Sequence, residues 1–396
     1  MINNKGTFVF ILPGVNRGHP NGGGNIIYQI STMLKKDGNL VYIVYMNSPS
    51  AYLYSKFRDD TLIRNSIVAR ILMKFRYNKK ISGINILFFL KHIYNVLSIA
   101  FRKKGYDYSI LTEIPEISLS RPSEVSLGAD IFIFASSWQT AYFVNDYIQN
   151  VNRNAHGYYL IQNFEDDPHF SGHLSLYARN SYAFHNLSKI VINSQLIERF
   201  RTEEPKFLKI GVNEKLYFLK KPIELKNSLI VLFSLQSQAY KGAGFGLEAI
   251  RILKETNESC EIYAFGNIDR YQLNSYVHYF LKPTDDELSD LYNLSSVFVF
   301  PSIIEGMPAP PLEAMLCGNA VVVTDNPGAR EYIVNGVNGI IVPPKDPSAI
   351  AKAVSILISN STLRQRIANN GRKTAMSYSY DAMYTNFKEI IDHPNS

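Results

Sequence analysis

The sequence predicts an α/β protein built from two doubly wound domains, each a parallel sheet with helical connections. Short apolar runs rich in Val, Ile, Phe and Tyr alternate with helical patterns along the chain, which is typical of parallel sheets. The alternation occurs in two successive series, and 396 residues exceed the usual length of one domain. A composition of 46% hydrophobic and 19% charged residues excludes collagen-like, coiled-coil and largely disordered chains.

The apolar runs predict the strands of each domain in order. In the first series these are Phe8–Leu12, Leu40–Met46, Tyr108–Leu111, Ile131–Ala135, Tyr158–Gln162 and Ile190–Asn193. Helices are predicted at Asn25–Lys36, Ile84–Arg102, Thr140–Ile148 and Ser171–Asn186. The second series predicts strands at Leu229–Leu235, Glu261–Phe265, Val277–Leu281, Val297–Pro301, Ala320–Thr324 and Gly339–Val342. A polar stretch with Pro205 and Pro222 lies between the series and reads as a linker. We therefore expect an N-terminal domain over 1–205, a C-terminal domain over 206–379, and a last helix over 380–396 that packs back on the first domain.

Three successive glycines, Gly22, Gly23 and Gly24, follow the first predicted strand and precede a predicted helix. Glycines let the backbone approach a ligand closely and direct free N–H groups at a phosphate or carboxylate. The spacing is not the dinucleotide-binding fingerprint, and a flexible turn is the alternative. Ligands of doubly wound sheets bind beyond the carboxyl ends of the strands, so the cleft between the domains is the expected active site.

Two glutamates, Glu305 and Glu313, flank the predicted start of a helix after the strand at Val297–Pro301. Pro310 and Pro311 suit the first turn of a helix, so Glu305 is expected on the entering loop and Glu313 one turn inside. Carboxylates on both sides of a helix N-terminus can bind two parts of one hydroxyl-rich ligand, while free N–H groups face its phosphates. For an isolated pair, a surface carboxylate plus a capping residue is the alternative.

The surrounding segment resembles the C-terminal domain of retaining glycosyltransferases of family 4, which have the GT-B fold. The resemblance covers about Leu229 to Arg372 and implies two Rossmann-like domains facing a central cleft, with the nucleotide sugar in the second. Shorter matches at Tyr158–Asp167, Val191–Ser194 and Gly211–Asn213 resemble a subgroup that adds rhamnose or related sugars to bacterial surface polysaccharides. The residues that carry the main resemblance are Pro301–Ser302, Glu305–Gly306, Pro311–Met315, Cys317–Gly318, Val322–Asp325, Glu331, Asn338–Gly339 and Val342–Pro344.

For the donor, the resemblance implies that Glu305 contacts the sugar and Glu313 holds the nucleotide ribose. Backbone groups around the start of the helix would support the sugar and diphosphate, and these belong to Gly306, Met307, Pro308 and Ala309.

A basic pair usually neutralises the leaving diphosphate in this family, and only its second member is matched here, by Lys241. The expected Arg is absent, and Gln236 in that region can donate a hydrogen bond but carries no charge. The resemblance therefore implies that Lys241 acts with the Gly22–Gly24 amides, or that Arg330 compensates.

In the N-terminal domain, Trp138 and Glu165 are the expected acceptor-binding residues. Trp138 stands near the position where many members place a His, and a core anchor is the alternative to a sugar platform. Glu165–Asp166–Asp167 has a second interpretation, because clustered carboxylates bind Mg²⁺ or Mn²⁺ in metal-dependent glycosyltransferases of the other major fold. The resembled family needs no metal, so no metal or cofactor is expected beside the nucleotide-diphospho-sugar donor.

The resemblance implies a retaining enzyme of the hexosyltransferase type. It would move rhamnose or another hexose from a nucleotide-diphospho-sugar to a glycan or lipid-linked acceptor in polysaccharide synthesis. The alternatives are a GT-B-fold sugar-nucleotide epimerase, a sucrose-phosphate-type synthase, and a catalytically silent partner that binds nucleotide sugar or glycan. The missing Arg and His make the silent partner conceivable.

The positive charge of the chain is concentrated in residues 64–104. This segment has ten Lys or Arg and no Asp or Glu, whereas the whole chain is +7, so the remainder is net −3. A basic stretch with interleaved apolar residues suits the anionic cytoplasmic face of a membrane, and solvated faces of ordinary helices are the alternative. No recognised module points to nucleic acid. Two cysteines and a first segment without a secretion-signal layout predict a cytoplasmic protein, associated with the inner face of the membrane if the first interpretation holds.

Overall fold

The computed structural model describes residues 6–13, 22–46, 49, 52–53, 114–125, 127–128, 130–226, 229–257, 259–270 and 273–392. Contacts divide the chain into two units. The first comprises Met1–Val191, Phe200–Lys206 and Ile390–Ser396, and the second comprises Ile192–Arg199 and Phe207–Glu389. The predicted strand Tyr108–Leu111, the predicted helix Ile84–Arg102 and the basic segment 64–104 lie outside the described residues. The domain limits of 1–205, 206–379 and 380–396 remain predictions.

Within the described residues the first sheet contains seven strands, which are β1 Thr7–Leu12, β2 Leu40–Met46, β3 Glu116–Leu119, β4 Ile131–Ala135, β5 His156–Ile161, β6 Ser188–Val191 and β7 Lys206–Phe207. Their order is β3-β2-β1-β4-β5-β6-β7, and neighbours from β3 to β6 pair in parallel. Phe8 stacks on Phe132 and Phe10 on Phe134 along the sheet, with ring centroids 4.9 and 4.7 Å apart. The helices of this half are α1 Gly22–Lys36, α2 Trp138–Asn150, α3 Pro168–Ser171, α4 Ser175–Ser181 and α5 Ser194–Arg199, the last of which belongs to the second unit.

The second sheet contains six strands, which are β8 Ile230–Leu235, β9 Glu261–Gly266, β10 Val277–Leu281, β11 Val297–Phe300, β12 Ala320–Thr324 and β13 Ile340–Val342. All pair in parallel in the order β10-β9-β8-β11-β12-β13. Strands β8, β11 and β12 are buried at every residue, which explains their nearly continuous apolar sequence. The helices are α6 Ala243–Thr256, α7 Asp285–Leu294, α8 Ala309–Leu316, α9 Pro327–Arg330, α10 Pro347–Ser359, α11 Ser361–Ala375 and α12 Tyr380–Asp392.

The structure confirms the α/β prediction with two parallel sheets, and it corrects three local predictions. The helix predicted over Ser171–Asn186 is shorter than predicted, since α4 covers only Ser175–Ser181, and Gly172, with a positive φ of 59°, separates it from α3. The short strands β3 and β7 were not predicted. The glycines Gly22–Gly24 do not precede α1 but form its first turn.

No helix within the described ranges has the length and apolar character needed to cross a lipid bilayer.

Candidate functional site

An ion pair lies just beyond the carboxyl end of β11 in the second unit. The Lys241 Nζ donates to both carboxylate oxygens of Glu305, at 2.7 and 2.9 Å. The hydroxyl of the buried Ser302 donates to the same carboxylate, on Oε1. The side chains of Lys241 and Glu305 are 24% and 11% exposed. The carboxylate is therefore held by two donors in a partly desolvated position, where its charge interacts more strongly than at the surface.

Lys241 reaches this position through a tight connection after β8. A single turn of 3₁₀ helix, Ala239–Lys241, leads to Gly242, which has a φ of 69° and is the N-cap of α6. A Cβ at Gly242 would lie 2.0 Å from the carbonyl oxygen of Pro301. Only glycine fits both the conformation and the close approach, so the backbone here fixes Lys241 beside the end of β11.

Glu305 lies on the loop that enters α8, and Glu313 lies one turn inside this helix, as predicted. Glu313 is half-buried and accepts a hydrogen bond from the hydroxyl of Tyr292 at 3.2 Å. Burial raises the pKa of Glu313 to about 7, the Tyr292 hydrogen bond opposes the rise, and Asp285 adds to it. The carboxyl can thus be either protonated or charged near neutral pH.

The loop before α8 offers backbone donors. Among the described residues, the N–H groups of Gly306, Met307 and Ala309 have no hydrogen-bond acceptor, and Gly306 and Met307 are buried residues. Pro308 has no N–H, and its carbonyl oxygen accepts from the Tyr332 hydroxyl at 2.7 Å. Buried N–H groups are nearly always paired in folded proteins, so this loop is suited to bind oxygen atoms of a ligand.

Two further predicted donor-site groups lie elsewhere in the second unit. Gln236 follows β8, is half-buried, and has no side-chain hydrogen bond to any described residue. Arg330 is exposed and binds Asp325 through Nε and Nη2, at 2.5 and 2.6 Å. The pairing lowers the pKa of Asp325. The guanidinium of Arg330 is therefore already paired with a carboxylate.

The two predicted acceptor residues come together in the first unit. The Glu165 carboxylate accepts from the Tyr159 hydroxyl and from the backbone N–H of Trp138, the first residue of α2. Burial raises the pKa of Glu165 to about 8, and both hydrogen bonds oppose the rise. The Trp138 side chain is buried and meets Tyr142 edge-on, with ring centroids 6.5 Å apart. Trp138 thus contributes its backbone to this cluster.

The remaining carboxylates of the acidic triplet have partners of their own. Asp166 lies 3.3 Å from the Arg179 guanidinium, and Asp167 caps α3 by accepting from the backbone N–H of His169 at 2.8 Å. In the described part of the chain, no three His, Cys, Asp or Glu side chains converge as a metal-ligand set.

Sequence reasoning did not assign roles to Ser302, Asn193 or Tyr332. Ser302 lies three residues before Glu305 and belongs to the segment that carried the resemblance, so its role could have been proposed. The amide of Asn193 donates to the carbonyl of Gly306, 113 residues away along the chain. Nothing in the local sequence indicates such a contact.

The fold is the GT-B fold, as comparison with solved structures confirms. Sucrose-phosphate synthase from Thermosynechococcus elongatus superposes with a TM-score of 0.68 at 13% identity, over 98% of this chain and 99% of that chain. Anabaena HepE, solved in complex with UDP and glucose, gives a TM-score of 0.65 at 15% identity, over 98% and 99%. At such identities the likeness concerns the fold alone.

Within this fold, residues 218–374 match the protein family described as "Glycosyl transferases group 1". The N,N'-diacetylbacillosaminyl-diphospho-undecaprenol alpha-1,3-N-acetylgalactosaminyltransferase of Campylobacter jejuni is 29% identical over 199 residues, which are 47% of this chain and 51% of that protein. The capsular polysaccharide biosynthesis glycosyltransferase CapM of Staphylococcus aureus is 40% identical over 93 residues, 24% of each chain. The matched part spans about half of the first relative and a quarter of the second.

Proposed function

We propose that this chain is a retaining glycosyltransferase that moves a hexose from a nucleotide-diphospho-sugar to a glycan or lipid-linked acceptor. One observation carries the proposal. The Lys241–Glu305 ion pair and the N–H groups of Gly306 and Met307 lie together beyond the carboxyl ends of β8 and β11, inside the segment that matches the family. This is the edge of an open parallel sheet where ligands bind.

The arrangement suits each part of such a donor. Lys241 uses two of its three N–H bonds on Glu305, and the third can donate to a diphosphate oxygen. The carboxylate of Glu305 retains lone pairs for sugar hydroxyls. The N–H groups at positions 306, 307 and 309 supply uncharged donors to sugar or phosphate oxygens. We assign Glu313, inside α8, to the ribose hydroxyls.

In the proposed reaction the acceptor oxygen bonds to the anomeric carbon as the bond from that carbon to the diphosphate oxygen breaks. Attack comes from the face that the diphosphate leaves, so the configuration is retained. The acceptor proton passes to a leaving phosphate oxygen, which gives a nucleoside diphosphate. The protein contributes orientation of the two substrates and stabilisation of the negative charge that develops on the leaving group.

The type of acceptor, the donor sugar and the membrane contact are also proposals. The names of relatives refer to a diphospho-undecaprenol acceptor and to capsular polysaccharide, which supports a lipid-linked glycan acceptor in polysaccharide synthesis. The rhamnose-type donor rests on the short matches at Tyr158–Asp167, Val191–Ser194 and Gly211–Asn213. Peripheral contact with an anionic membrane rests on the charge of segment 64–104.

The test measures nucleoside diphosphate release from a panel of UDP-, GDP- and dTDP-sugars, with and without undecaprenyl-diphosphate-linked glycan acceptors. We expect acceptor-dependent release with one donor, and a loss of about 100-fold in turnover for Lys241→Ala and for Glu305→Gln. Lys220→Ala is the matched control, because Lys220 forms an ion pair with Asp290 in the same unit but at the exposed surface. Unchanged transfer in both site variants refutes the proposed roles.

The panel also separates the alternatives. Conversion of the sugar nucleotide without release of a diphosphate identifies an epimerase. A soluble sugar-phosphate acceptor that replaces the glycan identifies a sucrose-phosphate-type synthase. Measurable binding with no release from any donor identifies a catalytically silent partner.

A further inference from the structure

Asn193 has both ends of its side-chain amide engaged in the second unit. It is completely buried. Its Nδ2 donates to the carbonyl oxygen of Gly306 at 2.9 Å, and its Oδ1 accepts from the backbone N–H of Leu196 at 2.9 Å. The second bond caps α5, whose first residue is Ser194. The orientation of the amide is therefore fixed from both sides.

The bond to Gly306 has a consequence for the next residue. In a trans peptide the carbonyl and the following N–H point in opposite directions, and no cis peptide occurs among the described residues. An oxygen of Gly306 that is held by Asn193 thus turns the Met307 N–H away from Asn193. This N–H has no acceptor within the described ranges, although Met307 is only 7% exposed.

A second contact restrains the same peptide. A Cβ at Gly328 would lie 2.5 Å from the oxygen of Gly306 and 2.8 Å from the Cα of Met307. The backbone of α9 therefore packs directly on this peptide, and the glycine leaves just enough room. The Pro308 carbonyl is held in a similar way by Tyr332, immediately before the unpaired N–H of Ala309. Two of the three available N–H groups thus follow a carbonyl held by a buried side chain.

We propose that Asn193 is a positioning residue, which orients the Gly306–Met307 peptide so that the Met307 N–H binds a phosphate or sugar oxygen of the donor. The inference rests on the proposed function and adds a residue to that site. A purely structural role would be to fasten segment 193–199 to the second unit. Glu331 already does this, since its Oε1 accepts from both the N–H and the hydroxyl of Ser194, at 2.8 and 2.6 Å.

Asn193→Ser separates the two roles. Serine caps helices about as well as asparagine, so the bond to Leu196 can persist, but its side chain is too short to keep the bond to Gly306 as well. Asn360→Ser is the matched control. Asn360 caps α11 by accepting from Leu363 at 2.9 Å, in the same helical position, and its side chain binds no carbonyl among the described residues.

In transfer assays with the donor that the wild type uses, we expect Asn193→Ser to lower kcat about tenfold or more, with a smaller change in KM. Asn360→Ser should leave both constants near wild-type values. A kcat for Asn193→Ser within threefold of the Asn360→Ser value overturns the inference. A wild type that transfers from no donor refutes the proposed function instead, which is a separate outcome.

A second measurement begins with the wild-type protein, so its first result does not depend on the folding of the Asn193 variant. The chain has eight methionines, so protein labelled with ¹⁵N-methionine gives few amide resonances, and the Met307 resonance is the one lost in Met307→Leu. UDP, GDP and dTDP are added in turn. We expect the diphosphate that binds to move the Met307 resonance downfield, and this movement to be lost in Asn193→Ser but kept in Asn360→Ser. Binding that shifts other resonances and leaves Met307 in place overturns the inference.

Discussion

Gly242 offers a sharp test of how the site is built, because a second glycine two residues later predicts the opposite result. In Gly242→Ala the new side chain meets two obstacles. A φ of 69° costs a non-glycine residue about 1–2 kcal/mol, and the Cβ would lie 2.0 Å from the Pro301 oxygen, where it cannot stay. We therefore expect the free energy of unfolding to fall by more than 2 kcal/mol, roughly the upper end of the conformational cost alone.

The control is Gly244→Ala, inside α6, where a Cβ meets no atom within 4 Å and the φ is an ordinary one. Alanine there should stabilise the helix by about 0.5 kcal/mol. Urea unfolding followed by circular dichroism measures both variants. Gly242→Ala, where folded, should also lose transfer activity, because Pro301 and Lys241 must move apart. A Gly242→Ala protein as stable as Gly244→Ala refutes this account of the turn.

Three further predictions concern pH and the membrane. Because the pKa of Glu165 is raised to about 8 in the folded state, the fold holds that proton more tightly than the unfolded chain, and stability should fall as pH rises from about 4.5 to 8. Glu165→Gln should flatten this fall in urea titrations, and an unchanged pH profile contradicts the burial argument. Burial lowers the pKa of Lys226 to about 7, so its contribution should make stability rise between about pH 7 and 10.5, and Lys226→Met should remove that rise. If stability still rises over this pH range in Lys226→Met, another titrating group causes the rise. Neutralising four charges of segment 64–104 should weaken sedimentation with anionic vesicles and flatten its salt dependence, with neutral vesicles as the control. Unchanged vesicle binding favours the alternative interpretation, in which these charges belong to the solvated faces of ordinary helices. The four residues are Lys79, Lys80, Lys103 and Lys104.

The sequence predicts best where local chemistry decides the structure. The positions of Glu305 on the loop and of Glu313 in the helix were predicted correctly, because the prolines in the first turn indicate where α8 begins. The fully buried strands of the second sheet were recognised from their apolar runs. Gly172 illustrates the opposite case, since the helix was predicted to begin at Ser171, and the positive φ that delays its start to Ser175 appears only in the structure.

Long-range contacts could not be predicted in the same way. Lys241 and Glu305 are 64 residues apart, and their pairing depends on the adjacency of β8 and β11 in the sheet. If the order of the strands is not known, the sequence gives no reason to pair these two charged residues. The resemblance supplied that order for Lys241, whereas Asn193 lies 113 residues from Gly306 and had no motif with an assigned role to connect it.

The charges around the proposed donor site explain why the orientation of backbone donors matters here. Lys241 is paired with Glu305 and Arg330 with Asp325, so each of these cations is balanced by a carboxylate before any ligand binds. Gln236, in the region where a second cation was expected, adds no charge. In the proposed reaction an incoming diphosphate draws on the third N–H of Lys241 and on uncharged backbone donors, and the energy of the backbone hydrogen bonds depends steeply on angle and distance. A site with spare positive charge tolerates a misaligned N–H, because charge attraction is less directional. Among the described residues of the proposed donor site, Lys241 and Arg330 are both paired already, and the support of the Gly306–Met307 peptide by Asn193 and Gly328 keeps an uncharged donor in a fixed orientation there.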